Sequence, residues 1–494
     1  MSTSSHSADT NLRLPPDEAL VAIADYVIDY QITREAAFST ARYCLMDALG
    51  CAILALNYPE CSALLGPMIP GTEVPHGVPI PGTDFILDPI QAAFNIGTLI
   101  RWLDYNDTWL AAEWGHPSDN LGAILAVSDY ISRKRIAMQQ PSLTIRDVFV
   151  SLIKAYEIQG RLALHNSFNR LGLDHVILVK IASAAVIIPL LGGSKTDVIN
   201  VLSQVFVDGQ SLRTYRHAPN TGSRKSWAAG DATSRAVRLA WLVLQGEKEY
   251  PTALSAKTWG FNDVILRGKS LQLALPYHSY VVENILFKIA FPAEFHAQTA
   301  VECAIHLHEK MKPYLNDLDN IAKIELTTHE SAIRIISKIG PLHNPADRDH
   351  CLQYMVAIGL LFGDLTADHY QDSIAKDPRI DLLREKMSVQ EDKQFSKDYL
   401  DPEKRSIANA IKIDFTDGST TEKIQIEYPL GHRRRRNEGI PLLLKKFENN
   451  LLTRFSPEKT QQIVAICSDE KKLEQMEIPK WMELFNTGEK SGKK

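Results

Sequence analysis

The chain has 494 residues, 45% of them apolar and 23% charged, which fits a globular protein and excludes a collagen-like, low-complexity or wholly disordered one. With 54 Lys and Arg against 59 Asp and Glu, the net charge is −5. That balance gives no global pull toward nucleic acid or an anionic membrane, so any anionic ligand must be held by local positive charge. The cysteines Cys44, Cys51, Cys61, Cys303, Cys351 and Cys467 show no C-x-x-C spacing. They form neither a disulfide framework nor a zinc or iron–sulfur ligand set, and buried thiols in a reduced compartment are expected.

The N-terminus is polar and lacks the apolar core of a signal peptide, so a cytoplasmic location is expected. The apolar stretch Val176 to Leu191 is interrupted by Lys180 and Ser183 and is too short to span a bilayer. Residues 1–12 and 486–494 are expected to be disordered tails.

The first half reads almost entirely as helix. Apolar residues recur at helical spacing over Asp17 to Tyr30, Glu35 to Leu56, Asp88 to Asp104, Asp119 to Ser132, Ile145 to Leu164, Asp174 to Leu191 and Ser194 to Phe206. Leu65 to Asp84 holds five prolines and four glycines and predicts a long loop. Arg213 to Trp227 predicts a second, polar loop, with helix from Ala228 to Leu244. The pattern changes near Leu275 to Ala290. A helix over Glu294 to Met311, a β-branched run over Ile321 to Thr328 and a helix over Asp349 to Phe362 follow, then two shorter helices. Ala408 to Phe415 and Thr421 to Tyr428 flank Asp417-Gly418, a hairpin signal. Helix returns over Ile440 to Phe455 and Pro457 to Cys467. The expected fold is mainly α: a large all-helical domain from both chain ends (13–280 and 433–485) with a smaller α+β lid domain inserted at 281–432. Such junctions often carry active sites.

No P-loop, dinucleotide fingerprint, H-E-x-x-H or G-x-S-x-G motif occurs; after His329-Glu330 the position of a second histidine is Ile333. His306 and His308 are two apart on a helix, face different ways and are expected at the surface. Two polar islands stand out instead. The first runs from Arg101 to Asn120. Asp104 and Thr108, four apart, would share a helix face, and His116-Pro117-Ser118 precedes the next helix with Ser118 as N-cap. A carboxylate, a hydroxyl, an imidazole and an anion-favouring helix start would then converge; the alternative is a polar, capped turn. The second island places Arg213, Arg216, Arg224 and Lys225 together with no acidic residue before Asp231, a set suited to carboxylates. The alternative is a solvated loop.

His175, opening an apolar helix, and the lone histidines His165 and His296 read equally as caps or satisfied core residues. Asn344 to Tyr354 gathers polar groups at another helix start, with Tyr354 either a core tyrosine or a donor. Arg433 to Arg436 reads as a solvated interdomain joint.

The segments Arg101 to Asn120, Tyr156 to Gly160, Asn166 to His175, Arg213 to Asp231 and Asn344 to Tyr354 resemble the MmgE/PrpD family over nearly the whole chain. The strings Glu-Trp-Gly-His-Pro-Ser-Asp-Asn and Arg-Lys-Ser-Trp-Ala-Ala-Gly-Asp are similar to its 2-methylcitrate-dehydrating branch; cis-aconitate decarboxylases are relatives. The resemblance implies a helical domain plus an α+β lid and elimination of water from 2-methylcitrate in propionate degradation. It also implies no metal and no other cofactor. Citrate and cis-aconitate are further substrates to consider. The family's active-site groups correspond here to Asp104, Thr108, His116, His175, Lys225 and Tyr354. Between Thr108 and His116 this chain is about two residues longer than the decarboxylases, which favours the dehydratase branch and could shift His116.

That chemistry removes a proton beside a carboxylate and expels a β-hydroxide, so it needs a base, an acid and cations. His116 or His175 would supply base or acid, and Asp104 would orient a histidine or serve as an alternative base. Lys225, Arg213, Arg216 and Arg224 would clamp carboxylates, with Arg101 and Ser118 completing the binding set, and Tyr354 would donate to the leaving hydroxyl. The expected partner is a small tricarboxylate, with no nucleic acid and no membrane, and the expected assembly is a homodimer. A decarboxylase or epimerase on a related polycarboxylate, or a non-catalytic helical scaffold, are the competing readings.

Overall fold

The computed structural model describes residues 13–217 and 219–486; apart from Asn486, the tails expected to be disordered lie outside the described residues. The first half folds into the helices Glu18–Asp29, Glu35–Ala55, Pro89–Arg101, Leu121–Ala137, Ile145–His165, Val176–Leu190, Lys195–Val207 and Arg224–Leu244. Local chemistry sets their starts. The Asp88 carboxylate accepts from the backbone N–H of Ile90 and Gln91 ahead of Pro89, and Thr144 with Asp147 and Ser194 with Asp197 form capping boxes. Helix Glu35–Ala55 has the length and apolarity to cross a membrane, but 83% of its apolar window is buried inside the protein; it is a core helix.

Two predicted loops need correction. Leu65 to Asp84 is largely irregular, yet Val78–Pro79 pairs antiparallel with Ile86–Leu87. In the second polar island the helix begins at Arg224, not Ala228, because the last helix-breaking residue is Gly222.

Beyond residue 290 a four-stranded sheet forms in the order Met387–Glu391, Ile321–Thr328, Asn409–Phe415, Ile424–Ile426. The first pair is parallel and the others antiparallel. Helix Gln298–Met311 packs on the last two strands, and helix Leu352–Phe362 packs on that helix. Strand Met387–Glu391 escaped sequence reading because it lies half-buried at the sheet edge and lacks clear alternation. One hydrophobic core joins Ala19 through Ile289 to Leu443 through Phe485, since helix Arg436–Leu452 packs back on Glu35–Ala55. A second core lies within Phe291 to Phe415. The architecture is mainly α.

Three helices that flank the polar islands cross at van der Waals distance. A Cβ on Gly230 would lie 2.5 Å from the Phe94 carbonyl, and one on Gly122 would lie 2.8 Å from that of Ala93. Glycine is required where backbones approach so closely. The crossing fixes the end of Pro89–Arg101 relative to the starts of Leu121–Ala137 and Arg224–Leu244, and so fixes Arg101, His116 and Lys225.

Candidate active site

Helix Pro89–Arg101 stops at Arg101, and Asp104 leaves it in a left-handed conformation with φ 50°. Asp104 and Thr108 therefore do not share a helix face. Thr108 instead pairs with Leu286 through two backbone hydrogen bonds of 2.7 and 3.1 Å. The antiparallel strands Trp109–Leu110 and Trp114–Gly115 then turn the chain back, which sets His116 Nδ1 3.3 Å from Thr108 Oγ1. This hairpin occupies the stretch between Thr108 and His116 that the family resemblance expects to be extended.

His116 Nδ1 lies 2.7 Å from the Asp107 carbonyl. A carbonyl only accepts, so Nδ1 carries the hydrogen and Nε2 is free, 3.5 Å from Asp104 Oδ1. Ser118 does not cap the helix or face the cleft. His116 holds the N-cap position of the turn Pro117–Asn120, and the Ser118 hydroxyl donates to Asp107 Oδ1 at 2.8 Å. Tyr156 donates to the other Asp107 oxygen. Ser118 and Tyr156 thus brace the segment behind His116.

Asp104 is the electrostatic centre. Its Oδ1 meets Arg101 Nη1 at 2.5 Å and Lys288 Nζ at 2.7 Å, and Lys288 also donates to its backbone carbonyl at 2.6 Å. Burial alone would raise the Asp104 carboxyl, but the positive charges of Arg101 and then Lys288 hold it well below the usual carboxylate range. It is a poor proton acceptor and a strong orienting charge. Burial, and then the positive charge of Arg101, push the His116 imidazole well below its ordinary value despite Asp104. Burial likewise lowers His175 against the opposing charge of Asp174, with Arg216 and Arg213 adding to the lowering. Both imidazoles are neutral at neutral pH.

The second island joins the first. Arg216 pairs with buried Asp174, and Arg213 lies over the Trp114 ring at 4.9 Å. Arg101 Nε, Arg213 Nη1, Arg216 Nη2 and His175 Nε2 are buried without a hydrogen-bond partner, whereas His175 Nδ1 lies 3.1 Å from Asp174 Oδ1, out of hydrogen-bond alignment. Lys225, in the first turn of its helix, pairs with Asp349 and lies 3.1 Å from His350 Nδ1. Arg224 and Tyr354 are not brought in. Arg224 stacks on Trp227 at 4.3 Å and pairs with Asp231 at 3.2 Å. Tyr354 points into the lid, where its hydroxyl donates to the His369 carbonyl at 2.7 Å.

Three groups at the cleft escaped sequence reading: Lys288, Glu294 and His350. Lys288 had one visible signal, a lone cation in the apolar run Ile285 to Phe291. The cleft they close, with Arg101, Asp104, Thr108, His116, His175, Arg213 and Arg216, is only about 20 Å³, room for about one water. A neighbouring cavity of about 290 Å³ lies beyond Lys225 and Asp349, walled by Trp102, Asn344 and Tyr370 among others.

The MmgE/PrpD N-terminal domain profile matches residues 21–274, and the MmgE/PrpD C-terminal domain profile matches residues 291–470. The chain belongs to the MmgE/PrpD family. It is 58% identical to "2-methylcitrate dehydratase" of Escherichia coli (strain K12), over 96% of this chain and 98% of that one. It is 57% identical to the protein of the same name from Cupriavidus necator, over 98% and 100%. It is 56% identical to "2-methylcitrate dehydratase, mitochondrial" of Yarrowia lipolytica (strain CLIB 122 / E 150), over 96% and 91%. In this MmgE/PrpD chain the N-terminal segment carries Asp104, His116, His175 and Lys225, the C-terminal one carries Glu294 and His350, and Lys288 lies between the two matched segments.

Proposed function

We propose that this protein is a 2-methylcitrate dehydratase, a hydro-lyase that eliminates water from 2-methylcitrate to give 2-methyl-cis-aconitate. The observation that carries the reading is the set of buried, unpartnered donors on Arg101, Arg213, Arg216 and His175, facing one cleft with the free Nε2 of His116. Leaving such donors unmade is expensive, and three carboxylates would satisfy them. Full-length identity of 56–58% to proteins of that name agrees.

In the reaction a C–H bond beside a carboxylate breaks, its electron pair becomes the new C=C bond, and the β-hydroxyl leaves as water. Arg101, Arg213 and Arg216 hold carboxylates and oppose the charge that spreads onto them. His116, with its tautomer fixed by the Asp107 carbonyl, moves a proton at Nε2, and His175 is the second imidazole within reach. The closed cleft cannot hold a tricarboxylate, so the lid must part from the helical domain to admit it. The homodimer expected from the sequence belongs to the same proposal and is tested by sedimentation.

Incubation with 2-methylcitrate tests the reading. Rising ultraviolet absorbance of a conjugated alkene without carbon dioxide release supports dehydration. Carbon dioxide release would identify a decarboxylase, and no turnover would favour the scaffold reading.

Two further outcomes are expected. The cations Arg101, Arg213, Arg216 and Lys288 around the cleft repel a dication, so activity should survive EDTA; loss that iron or zinc restores would refute this. Lys225→Ala removes a charged donor that lines the neighbouring cavity and reaches His350 of the cleft at 3.1 Å. Charged hydrogen bonds contribute about 1.5–3 kcal/mol, so kcat/KM should fall about 10- to 150-fold. Unchanged kinetics in the folded variant would remove Lys225 from the site.

A further inference from the structure

His296 makes a hydrogen-bonded chain in the lid. Its Nδ1 lies 2.7 Å from Glu294 Oε1, and its backbone N–H donates to Glu294 Oε2 at 2.9 Å. Its Nε2 lies 3.1 Å from the Tyr399 hydroxyl. A carboxylate only accepts, so Nδ1 carries a hydrogen and donates it to Glu294, while Nε2 and the Tyr399 hydroxyl share the second hydrogen bond. The His329 ring stacks on Tyr399 with centroids 4.7 Å apart, and Trp114 of the site hairpin meets His296 edge-on at 6.2 Å. All of these side chains are buried. The chain ends at the cleft, because Glu294 lines the same wall as Lys288 and His350.

Helix N-capping does not account for this construction. The turn Glu294 caps has only three residues, Phe295–Ala297, and needs neither a buried imidazole nor a buried phenol. Of the two carboxylates that line the cleft, Asp104 is saturated by Arg101 and Lys288. Among the described residues, Glu294 has no Lys or Arg in salt-bridge contact; burial raises its carboxyl, but His296, with Lys288 beyond it, holds it below its ordinary value, so what fits it to the task is its place on the cleft wall and the side chains that hold it.

Resting on the dehydratase reading, we propose that Glu294 is the group that takes the carbon-bound proton, and that His296 and Tyr399 are positioning residues that aim it. The step balances as follows. The tricarboxylate raises the affinity of His116 for a proton, which it takes from solvent at Nε2. Glu294 accepts the proton of the breaking C–H bond, whose electron pair forms C=C. The C–O bond breaks toward oxygen, and the hydroxide leaves as water with the His116 proton. Glu294 then returns its proton to solvent when the lid opens.

The test uses the full chain and 2-methylcitrate, with and without deuterium at the carbon that loses the proton. One group's acid–base contribution is ~10²–10⁴-fold, so Glu294→Gln should lower kcat at least ~100-fold with KM and the melting temperature little changed. Glu294→Asp keeps the carboxylate but retracts it; it should retain partial activity with a larger deuterium effect on kcat than the wild type. Tyr399→Phe should lower kcat without moving KM and also enlarge the deuterium effect. A stably folded Glu294→Gln that keeps more than a tenth of kcat, or Asp and Phe variants with the wild-type deuterium effect, would overturn the assignment. An active wild type with either result sinks this proposal alone, whereas a wild type that does not dehydrate 2-methylcitrate sinks the functional reading and this proposal together.

Discussion

His116→Gln should lower the dehydration rate at least ~100-fold, the lower bound for one acid–base group, while leaving the helical circular dichroism intact. Glutamine can keep a hydrogen bond to the Asp107 carbonyl that now holds Nδ1 at 2.7 Å. It cannot take up and release a proton at the position of Nε2, 3.5 Å from Asp104. The substitution therefore removes proton transfer and preserves the packing that Ser118 and Tyr156 brace from behind. His116→Ala should be similarly inactive. If His116→Gln keeps most of the rate, His116 only binds or caps, and proton transfer passes to His175. That histidine has Nδ1 beside Asp174 at 3.1 Å, Nε2 unpartnered and its ring centroid 5.8 Å from that of His116.

Much of the site could be read from the chain because its two polar islands are local clusters of unusual composition. Arg101, Asp104, Thr108, His116, His175, Arg213, Arg216 and Lys225 do assemble. What sequence reasoning got wrong was how they assemble. Periodicity carried the helix through Asp104, but the backbone turns left-handed there, and a short hairpin, not a helix face, joins Thr108 to His116. Ser118 looked like a cap because serine before a helix usually is one, yet buried Asp107 competes for its hydroxyl. Tyr354 came from the family resemblance and a polar cluster at a helix start; four residues before it, His350 lies 3.9 Å from Asp104 instead. Lys288 could not be placed because only folding brings it to Asp104 across 184 residues, and Glu294, paired with His296 two residues on, gave no sign that folding sets it on the wall of the same cleft. Helices were legible for the opposite reason: their signal repeats within a few residues. The half-buried edge strand Met387–Glu391, whose partners are Ile324 to Thr328, lacked such a signal.

Asp104→Asn should be the most destabilising change in the cleft. Arg101, Lys288 and Asp104 are 3%, 0% and 4% exposed at the side chain, so removing the carboxylate leaves two buried cations without their counter-ion. Breaking a buried pair in this way costs about 3–5 kcal/mol, measurable by denaturant unfolding. The pH dependence gives a second check. The folded-state pKa of Asp104 is depressed well below its ordinary value of 3.8, so its stabilisation is present above that value and is lost as pH falls through the folded pKa. Wild type should lose this contribution only in strong acid, and Asp104→Asn should lack that part of the acid transition. Lys288→Met alone should also destabilise, because Asp104 loses one of its two close cations. In the double variant Asp104→Asn, Lys288→Met, one charge of each sign is gone and Lys288 is replaced by an apolar side chain of similar length. The double variant should therefore be more stable than the sum of the single losses allows, a coupling of about 0.5–3 kcal/mol. Strict additivity would show that the two side chains do not share an electrostatic network, and Asp104 would lose its place as the charge that orients His116.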